Sequence, residues 1–429
     1  MTDILRRRGV LSLNTRAGVN FTQNKMHQVL HIAPRSLTDL DTVLALHRTH
    51  EVDVWRHPTT WNQTLDVYVA PDKIEAFLDE LKLINVEVKV WIHDLQRLMD
   101  EEKVSLARKA RHPKTSQGKN KIFHTYLRYD EIRNFLRNAE SDSLRTDVVR
   151  AERKIIGTTY EGREIELIHI SKGDSPNKKK IFIDGGVHAR EWISPAFTLY
   201  IIYQLVYNTS NDDVKTLLNH FDWYIVPVLN PDGYEYSHTQ NRLWRKNRSP
   251  NRRGCVGTDV NRNFGYQWNP RLGGSSDPCS DLFSGNTSFS EEESRALQNF
   301  ILANNDNMIA YFTVHSYGQL WLYPWGYTNA LLDDWMDLEH LANVSVSALR
   351  QKHGTQYTVG SSTRVLYSAA GNSHDWAKGE AGIKYSYTLE LRDKEQYGFL
   401  LPEDQIKPTS EETWTGLVAF SKALLLYEG

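Results

Sequence analysis

The feature that most constrains the fold is a strand, a glycine turn and a helix in direct succession. The strand is the apolar run Lys180–Asp184, the turn contains Gly185 and Gly186, and the helix is predicted over the apolar residues 196–206. This order is typical of an α/β protein, in which ligand sites form beyond the carboxyl ends of the strands. The residues that follow the turn are therefore the first candidates for a ligand site.

Two metal-ligand types stand three residues apart after this turn. His188 and Glu191 offer an imidazole and a carboxylate that can share one cation, although the His-x-x-Glu spacing is weak by itself. A third ligand is expected from another strand end, and His315 ends the β-rich run 309–315. Three protein ligands with one position open to water are typical of a catalytic zinc site.

A lone carboxylate lies in a third apolar strand, 384–393. One face of this strand is apolar, and the other carries Ser386, Thr388 and Glu390. Burying a carboxylate there is costly unless it has a function. The alternatives are a hydrogen-bonded core histidine for His315 and an edge-strand position for Glu390. For either residue taken alone, the structural alternative is the better interpretation. The combination of His188, Glu191, His315 and Glu390 favours a catalytic site.

Six ordered sequence blocks resemble the zinc metallocarboxypeptidases of the pancreatic A/B type, including the activation domain of the procarboxypeptidases. The resemblance runs from about residue 25 to the C-terminus, with blocks at 156–163, 185–196, 241–248, 257–264, 314–317, and 390–393 with 397–402. It implies an α/β catalytic domain with a mixed, mostly parallel sheet flanked by helices, preceded by a small α+β ferredoxin-like activation domain. It also implies a zymogen of a zinc exopeptidase that removes single C-terminal residues from peptides and proteins.

The resemblance assigns the catalytic roles. The ligands of one zinc ion per chain are His188, Glu191 and His315, and Asp259 orients His188. Glu390 is the general base, which takes a proton from water and delivers it to the leaving amine. Arg245 stabilises the oxyanion. Without the zinc ligands, the arginines of 242–248 would equally well form a solvated basic loop.

The resemblance further implies a group of substrate-binding residues, namely Arg190, Asn261, Arg262, Tyr317, Tyr367, His374, Ser362, Thr388 and Phe399. Asn261 and Arg262 clamp the terminal carboxylate, because a planar guanidinium matches a carboxylate in two-point fashion. Tyr367 closes over the same carboxylate, and Arg190 contacts the peptide upstream.

One position departs from the family in the side-chain pocket. The residue before the Asp375-Trp376 pair is apolar in A-type enzymes and aspartate in B-type enzymes, whereas here it is His374. With Ser362 and Thr388 nearby, the pocket is expected to be polar without a fixed negative charge. We therefore predict a preference for neutral side chains, and for polar or acidic ones at lower pH if the imidazole becomes positive.

The length of 429 residues suggests two domains, and the net charge of −2 implies no nucleic-acid partner. No apolar run reaches the roughly 20 residues that cross a membrane. The predicted domains are an activation propeptide at 25–100, a basic cleavable linker at 101–121 and the catalytic domain at 122–429. The linker is polar and poor in large apolar residues, so a trypsin-like activating protease is expected to cut it.

The activation domain reads as a β-α-β-β-α-β unit between residues 28 and 92. Its alternative is an ordinary ferredoxin-like binding module, but its place directly upstream of the catalytic domain favours an inhibitory propeptide. A monomer that binds the C-termini of peptides and proteins is expected.

The two cysteines, Cys255 and Cys279, form a disulfide if the resemblance holds, and the alternative is a pair of buried free thiols. A disulfide fits a secreted enzyme. No signal peptide is visible at the N-terminus. Three explanations are open: the true start lies upstream, the segment before about residue 25 is foreign to the natural protein, or the protein stays inside the cell. The first two are favoured.

Two other functions stay open at this level. One is a non-catalytic peptide-binding relative, although the intact set of zinc ligands with Arg245 and Glu390 argues against it. The other is a regulatory prohormone-processing carboxypeptidase, a branch that lacks this propeptide and carries a β-sandwich after the catalytic domain.

Overall fold

The structure is a computed structural model that describes residues 26–50, 52–56, 63–84, 86–111, 118–146, 148–173, 178–394 and 396–427. The chain divides into two compact units. The first comprises residues 1–105 with 395–400, and the second comprises residues 106–394 with 401–429.

The first unit contains one antiparallel sheet and two helices in the predicted β-α-β-β-α-β order. Its elements are β1 (Gln28–Ala33), α1 (Leu37–His50), β2 (Asp53–Arg56), β3 (Leu65–Val69), α2 (Ile74–Leu83) and β4 (Glu87–Ile92). The strand order is β2-β3-β1-β4. Inward residues of the strands pack with Val43, Phe77 and Leu81 of the helices into one apolar core. The ferredoxin-like prediction is confirmed.

A helix that the sequence analysis did not predict, α3 (Leu95–Arg111), covers the first half of the proposed linker. Residues 101–111 are rich in Glu, Leu, Ala, Lys and Arg, which are strong helix formers, and no glycine or proline interrupts them before Pro113. Residues 112–117 lie outside the described residues, and a short 3-10 helix follows at Gly118–Phe123. Polar composition therefore does not exclude a regular helix.

The second unit is built on an eight-stranded mixed sheet. Its strands are β5 (Arg150–Thr158), β6 (Glu164–Ser171), β7 (Lys179–Asp184), β8 (Phe221–Val226), β9 (Met308–Ser316), β10 (Leu320–Tyr323), β11 (Thr358–Ser361) and β12 (Tyr385–Leu391). Their order is β11-β10-β12-β9-β7-β8-β6-β5. The central strands β12, β9, β7 and β8 are parallel to one another.

The helices of this unit flank the sheet. They are α4 (Tyr129–Ser143), α5 (Ile193–Tyr207), α6 (Asp212–His220), α7 (Pro231–Thr239), α8 (Glu292–Asn304), α9 (Trp335–His353), α10 (Ser362–Val365), α11 (Ser373–Gly379) and α12 (Ile406–Tyr427). Helix α5 is apolar on nearly all sides and is almost entirely buried, as expected for a helix without a polar face. Within the described part of the chain, no helix is long and apolar enough to span a membrane.

The register of the central strands fixes which side chains share a face. Parallel pairing sets Glu390 beside His315 and Thr388 beside Thr313, and it sets Asp184 on β7 beside Thr313. Side chains two residues apart on a strand point to the same face. The carboxyl ends of three strands therefore bring these five polar residues together.

Candidate active site and metal centre

The turn after β7 is shaped by close packing around its two glycines. A Cβ atom on Gly185 would lie 2.9 Å from both Ser194 Oγ and Thr198 Cγ2, and Gly186 has a φ of +62°. A larger residue at either position would therefore clash or be strained. The tight turn places His188 and Glu191 directly before α5, as the sequence predicted.

His188, Glu191 and His315 converge on one buried point. His188 Nδ1 lies 2.7 Å from Glu191 Oε1, and His315 Nδ1 lies 3.0 Å from Glu191 Oε2. The two Nδ1 atoms are 3.1 Å apart. Two imidazole lone pairs and a carboxylate at this spacing repel one another unless a cation or proton lies between them. Two nitrogen donors and one oxygen donor suit zinc.

Asp259 connects a metal ligand with the proposed oxyanion residue. Its Oδ1 lies 3.1 Å from His188 Nε2, and its Oδ2 accepts hydrogen bonds from Arg245 Nε at 3.0 Å and from Arg245 Nη2 at 2.9 Å. Burial alone would raise the pKa of Asp259, but the positive charge of Arg245 and the interaction with His188 hold it well below its usual range. Asp259 is therefore ionised and accepts the Nε2 proton of His188, which leaves Nδ1 free for a metal.

Glu390 stands beside this cluster on β12. Burial raises its pKa to about 8, against the opposing effect of His315. A carboxylate with a raised pKa can both take up and release a proton near neutral pH. The structure therefore brings the proposed general base to the metal cluster.

Arg262 is a buried cation with no acidic partner among the described residues. Its guanidinium donates to three backbone or amide oxygens, Gly273 O at 2.8 Å, Asn261 O at 2.8 Å and Asn372 Oδ1 at 3.1 Å. It also donates to Tyr367 Oη at 2.8 Å. The side-chain amide of Asn261 lies 3.4 Å from His315 Nε2, which connects this cation to the metal cluster. The sequence analysis did not identify Asn372, which a search for side chains that orient the arginine could have found.

His374 and Ser362 contact each other in the proposed side-chain pocket. His374 Nε2 lies 3.0 Å from Ser362 Oγ and 3.2 Å from Asp375 Oδ1. Burial, together with the neighbouring His315 and Arg262, lowers the pKa of His374 to about 3. The lowered pKa favours the neutral imidazole near neutral pH, and the preference for polar or acidic residues at lower pH stays a prediction. The hydroxyl of Thr388 is buried and has no hydrogen-bond partner in the described ranges.

The remaining predicted residues fall into two groups. Arg190 is buried and donates to Leu243 O, and Tyr317 is buried directly after β9. Phe399 belongs to the segment that is grouped with the first unit, where its ring centroid lies 5.0 Å from that of Trp55. Its role in substrate binding stays a prediction.

Cys255 and Cys279 form a disulfide with a Cα–Cα distance of 5.2 Å, which is typical of such bonds. The predicted disulfide is confirmed, and the alternative of two free thiols is wrong.

A buried His–Glu–His cluster next to a half-buried carboxylate, Glu390, and two buried arginines defines a zinc-dependent hydrolase on an α/β scaffold. Comparison with known proteins gives the family. Residues 141–416 match the zinc carboxypeptidase family model, and residues 30–102 match that of the carboxypeptidase activation peptide. The chain belongs to the zinc carboxypeptidase family and is a zinc metallocarboxypeptidase of A/B type with an activation peptide.

Relatives of both types are similar to this chain. Carboxypeptidase B of Astacus astacus is 50% identical over 68% of this chain and 95% of its own. Carboxypeptidase A2 of Rattus norvegicus is 38% identical over 91% of this chain and 92% of its own. The crystal structure of carboxypeptidase A from Helicoverpa armigera covers 93% of this chain and 98% of its own, with a TM-score of 0.84 and 29% identity. Overall similarity therefore does not decide which side chain the pocket accepts.

Proposed function

We propose that the protein cleaves the last peptide bond of its substrates with His188, Glu191 and His315 as zinc ligands. Zinc, when bound, polarises the scissile carbonyl and lowers the pKa of a water molecule. Glu390 takes the proton of this water and delivers it to the leaving amine. Arg245, held by Asp259, stabilises the negative charge that develops on the carbonyl oxygen.

The single observation that carries the exopeptidase proposal is that the buried guanidinium of Arg262 is hydrogen-bonded only to neutral groups and forms no ion pair with a described carboxylate. Burying a guanidinium without a counter-ion is costly, so the site is built to receive an anion. Tyr367 and Asn261 lie beside the same cation and provide further hydrogen-bonding groups. The terminal carboxylate of a peptide is an anion that fits a planar guanidinium. Binding is then strong only where a chain ends, which limits cleavage to the last residue.

Peptides with a free and with an amidated C-terminus test this clamp. We expect the activated enzyme to cleave the free peptide and to lose at least about 100-fold in kcat/KM on the amide, since hydrogen bonds to charged groups contribute about 1.5–3 kcal/mol each. Arg262→Met should remove most of this discrimination while zinc content stays unchanged. Equal cleavage of the two peptides by the wild-type enzyme would refute the clamp.

For the side chain of the last residue, we propose a preference for neutral groups, namely aromatic and large aliphatic ones. His374 is neutral because it is buried, and neither Ser362 nor Thr388 offers a charge. Asp375 is next in sequence, but both of its oxygens accept from the backbone N–H of Gly326. A lysine or arginine side chain would therefore meet no carboxylate in the pocket that is free to pair with it, at a cost of several kcal/mol.

We further propose that the chain is a secreted monomer, inactive until a trypsin-like protease cuts between Lys103 and Lys121. Three candidate cations of this segment already make contacts in the second unit. Lys109 pairs with Glu403 at 2.7 Å, Lys119 lies 4.0 Å from the ring centroid of Tyr207, and Lys121 pairs with Glu131. Arg108 is exposed, but helical backbone must unwind before a protease can bind it. The first cut is therefore expected at the end of α3 or directly after it.

A further inference from the structure

Asp184 is a second buried carboxylate close to the metal cluster. It ends β7 and is fully buried. Thr313 Oγ1 donates to its Oδ1 at 2.8 Å, and Tyr311 Oη donates to its Oδ2 at 2.5 Å. None of the catalytic roles described above uses Asp184, although two buried hydroxyl groups donate hydrogen bonds to its carboxylate.

The link from Asp184 to the metal cluster is the hydroxyl of Thr313. Thr313 Oγ1 lies 3.0 Å from His315 Nε2. A hydroxyl has a single proton, and the carboxylate of Asp184 can only accept. The proton of Thr313 is therefore directed to Asp184, and its oxygen must accept the proton of His315 Nε2. This arrangement leaves the lone pair of His315 Nδ1 directed to the cluster.

A competing contact would have the opposite effect. The amide nitrogen Nδ2 of Asn261 lies 3.4 Å from His315 Nε2, and the orientation of this amide is set by Ser373 N, which donates to Asn261 Oδ1 at 3.0 Å. If Asn261 donated to Nε2, the proton of His315 would move to Nδ1 and block the metal. The contact of His315 Nε2 with Thr313 Oγ1 is shorter than the one with Asn261 Nδ2, and the Thr313 hydroxyl is polarised by the Asp184 carboxylate. The contact with Thr313 is therefore the stronger of the two.

We propose that Asp184 is a positioning residue that fixes the zinc-binding tautomer of His315 through the hydroxyl of Thr313. Each of the two histidine ligands is then oriented by a carboxylate. Asp259 contacts His188 directly, and Asp184 acts on His315 through the hydroxyl of Thr313. Such partners of metal-bound histidines typically change metal affinity or activity by 10- to 100-fold. Burial raises the pKa of Asp184 to about 6, so it remains largely ionised at pH 7.5.

Zinc affinity of the full-length chain, measured by competition with a chelator, tests the proposal without requiring activity. Thr313→Val and Asp184→Asn keep the shape of each residue, and each should weaken zinc binding by about 10- to 100-fold. Thr313→Ser keeps the hydroxyl and should bind zinc within about threefold of the wild type. Thr413→Val is the matched control, because Thr413 is also fully buried but its hydroxyl donates to Thr409 O, within its own helix.

The possible results separate this proposal from the assignment of the ligands on which it rests. His315→Ala should lose zinc binding almost completely; if it does not, the ligand set itself is wrong. If His315→Ala loses zinc but Thr313→Val binds it as tightly as Thr413→Val, the hydroxyl link is refuted while the ligand set stands. A Thr313→Ser protein as weak as Thr313→Val would also overturn it. Should Asp184→Asn fail to unfold cooperatively, the three Thr313 and Thr413 variants decide the question.

Discussion

Replacing His374 with aspartate should convert the side-chain pocket into one that accepts basic residues. The wild-type imidazole is only 4% exposed and neutral, so this side chain offers no charge to a lysine or arginine. In His374→Asp, an incoming guanidinium gains a buried, charge-assisted hydrogen bond. Such bonds contribute about 1.5–3 kcal/mol, or roughly 10- to 150-fold in kcat/KM. Relief of the desolvation cost adds to this gain.

We therefore expect the ratio of kcat/KM for peptides ending in Arg and in Phe to rise at least about 100-fold in His374→Asp. The peptides should differ only in the last residue and be assayed with trypsin-activated enzyme. Burial raises the pKa of the neighbouring Asp375 to about 7. A second carboxylate at position 374 would raise the pKa values of both carboxyl groups, because like charges repel. The assay is therefore run at pH 8, where ionisation of the carboxyl groups is favoured.

His374→Asn is the matched control, since it is polar and uncharged. It should leave cleavage of the Arg peptide poor. If Asn promotes cleavage of the Arg peptide as well as Asp does, pocket volume and not charge decides specificity. A wild-type enzyme that already prefers Arg would show that another carboxylate lines the pocket, which refutes the reasoning.

Three further predictions follow from buried groups and from the linker. Glu390→Gln should retain zinc, measured by elemental analysis, and lose about 100- to 10,000-fold in kcat, because it removes the proton acceptor but no ligand; a fully active variant would exclude this base. The uncut chain should be nearly inactive on peptides, and trypsin cleavage within 103–121, located by N-terminal sequencing, should release activity; equal rates before and after cleavage would contradict the zymogen. Burial raises the pKa of Glu293 from 4.5 to about 8, so its contribution to stability is full below pH 4.5 and is lost as the pH rises to 8. Glu293→Gln should therefore gain stability over the wild type across this window, by up to roughly 4 kcal/mol at pH 8 in chemical unfolding; a pH-independent difference would show that Glu293 does not titrate there.

The resemblance to the zinc carboxypeptidases and the order of elements could be predicted because they depend on local patterns. The alternation around Glu390 identified a strand with one polar face, and the glycine pair before His188 identified the turn. Helix α3 is not predicted from the sequence because a polar, basic composition indicates a linker, whereas its residues have high helix propensity.

The amino-acid sequence by itself determined the kinds of group available for catalysis and their places at strand ends. Only the tertiary structure decided their chemical state, because protonation and charge depend on burial and on neighbours that are distant in sequence. His374 is neutral because it is buried, Arg262 lacks an ion pair because no described carboxylate lies in direct contact with it, and His315 presents Nδ1 because β7 and β9 align Asp184 with Thr313. These three properties depend on contacts between residues up to 129 positions apart, which a local pattern does not contain.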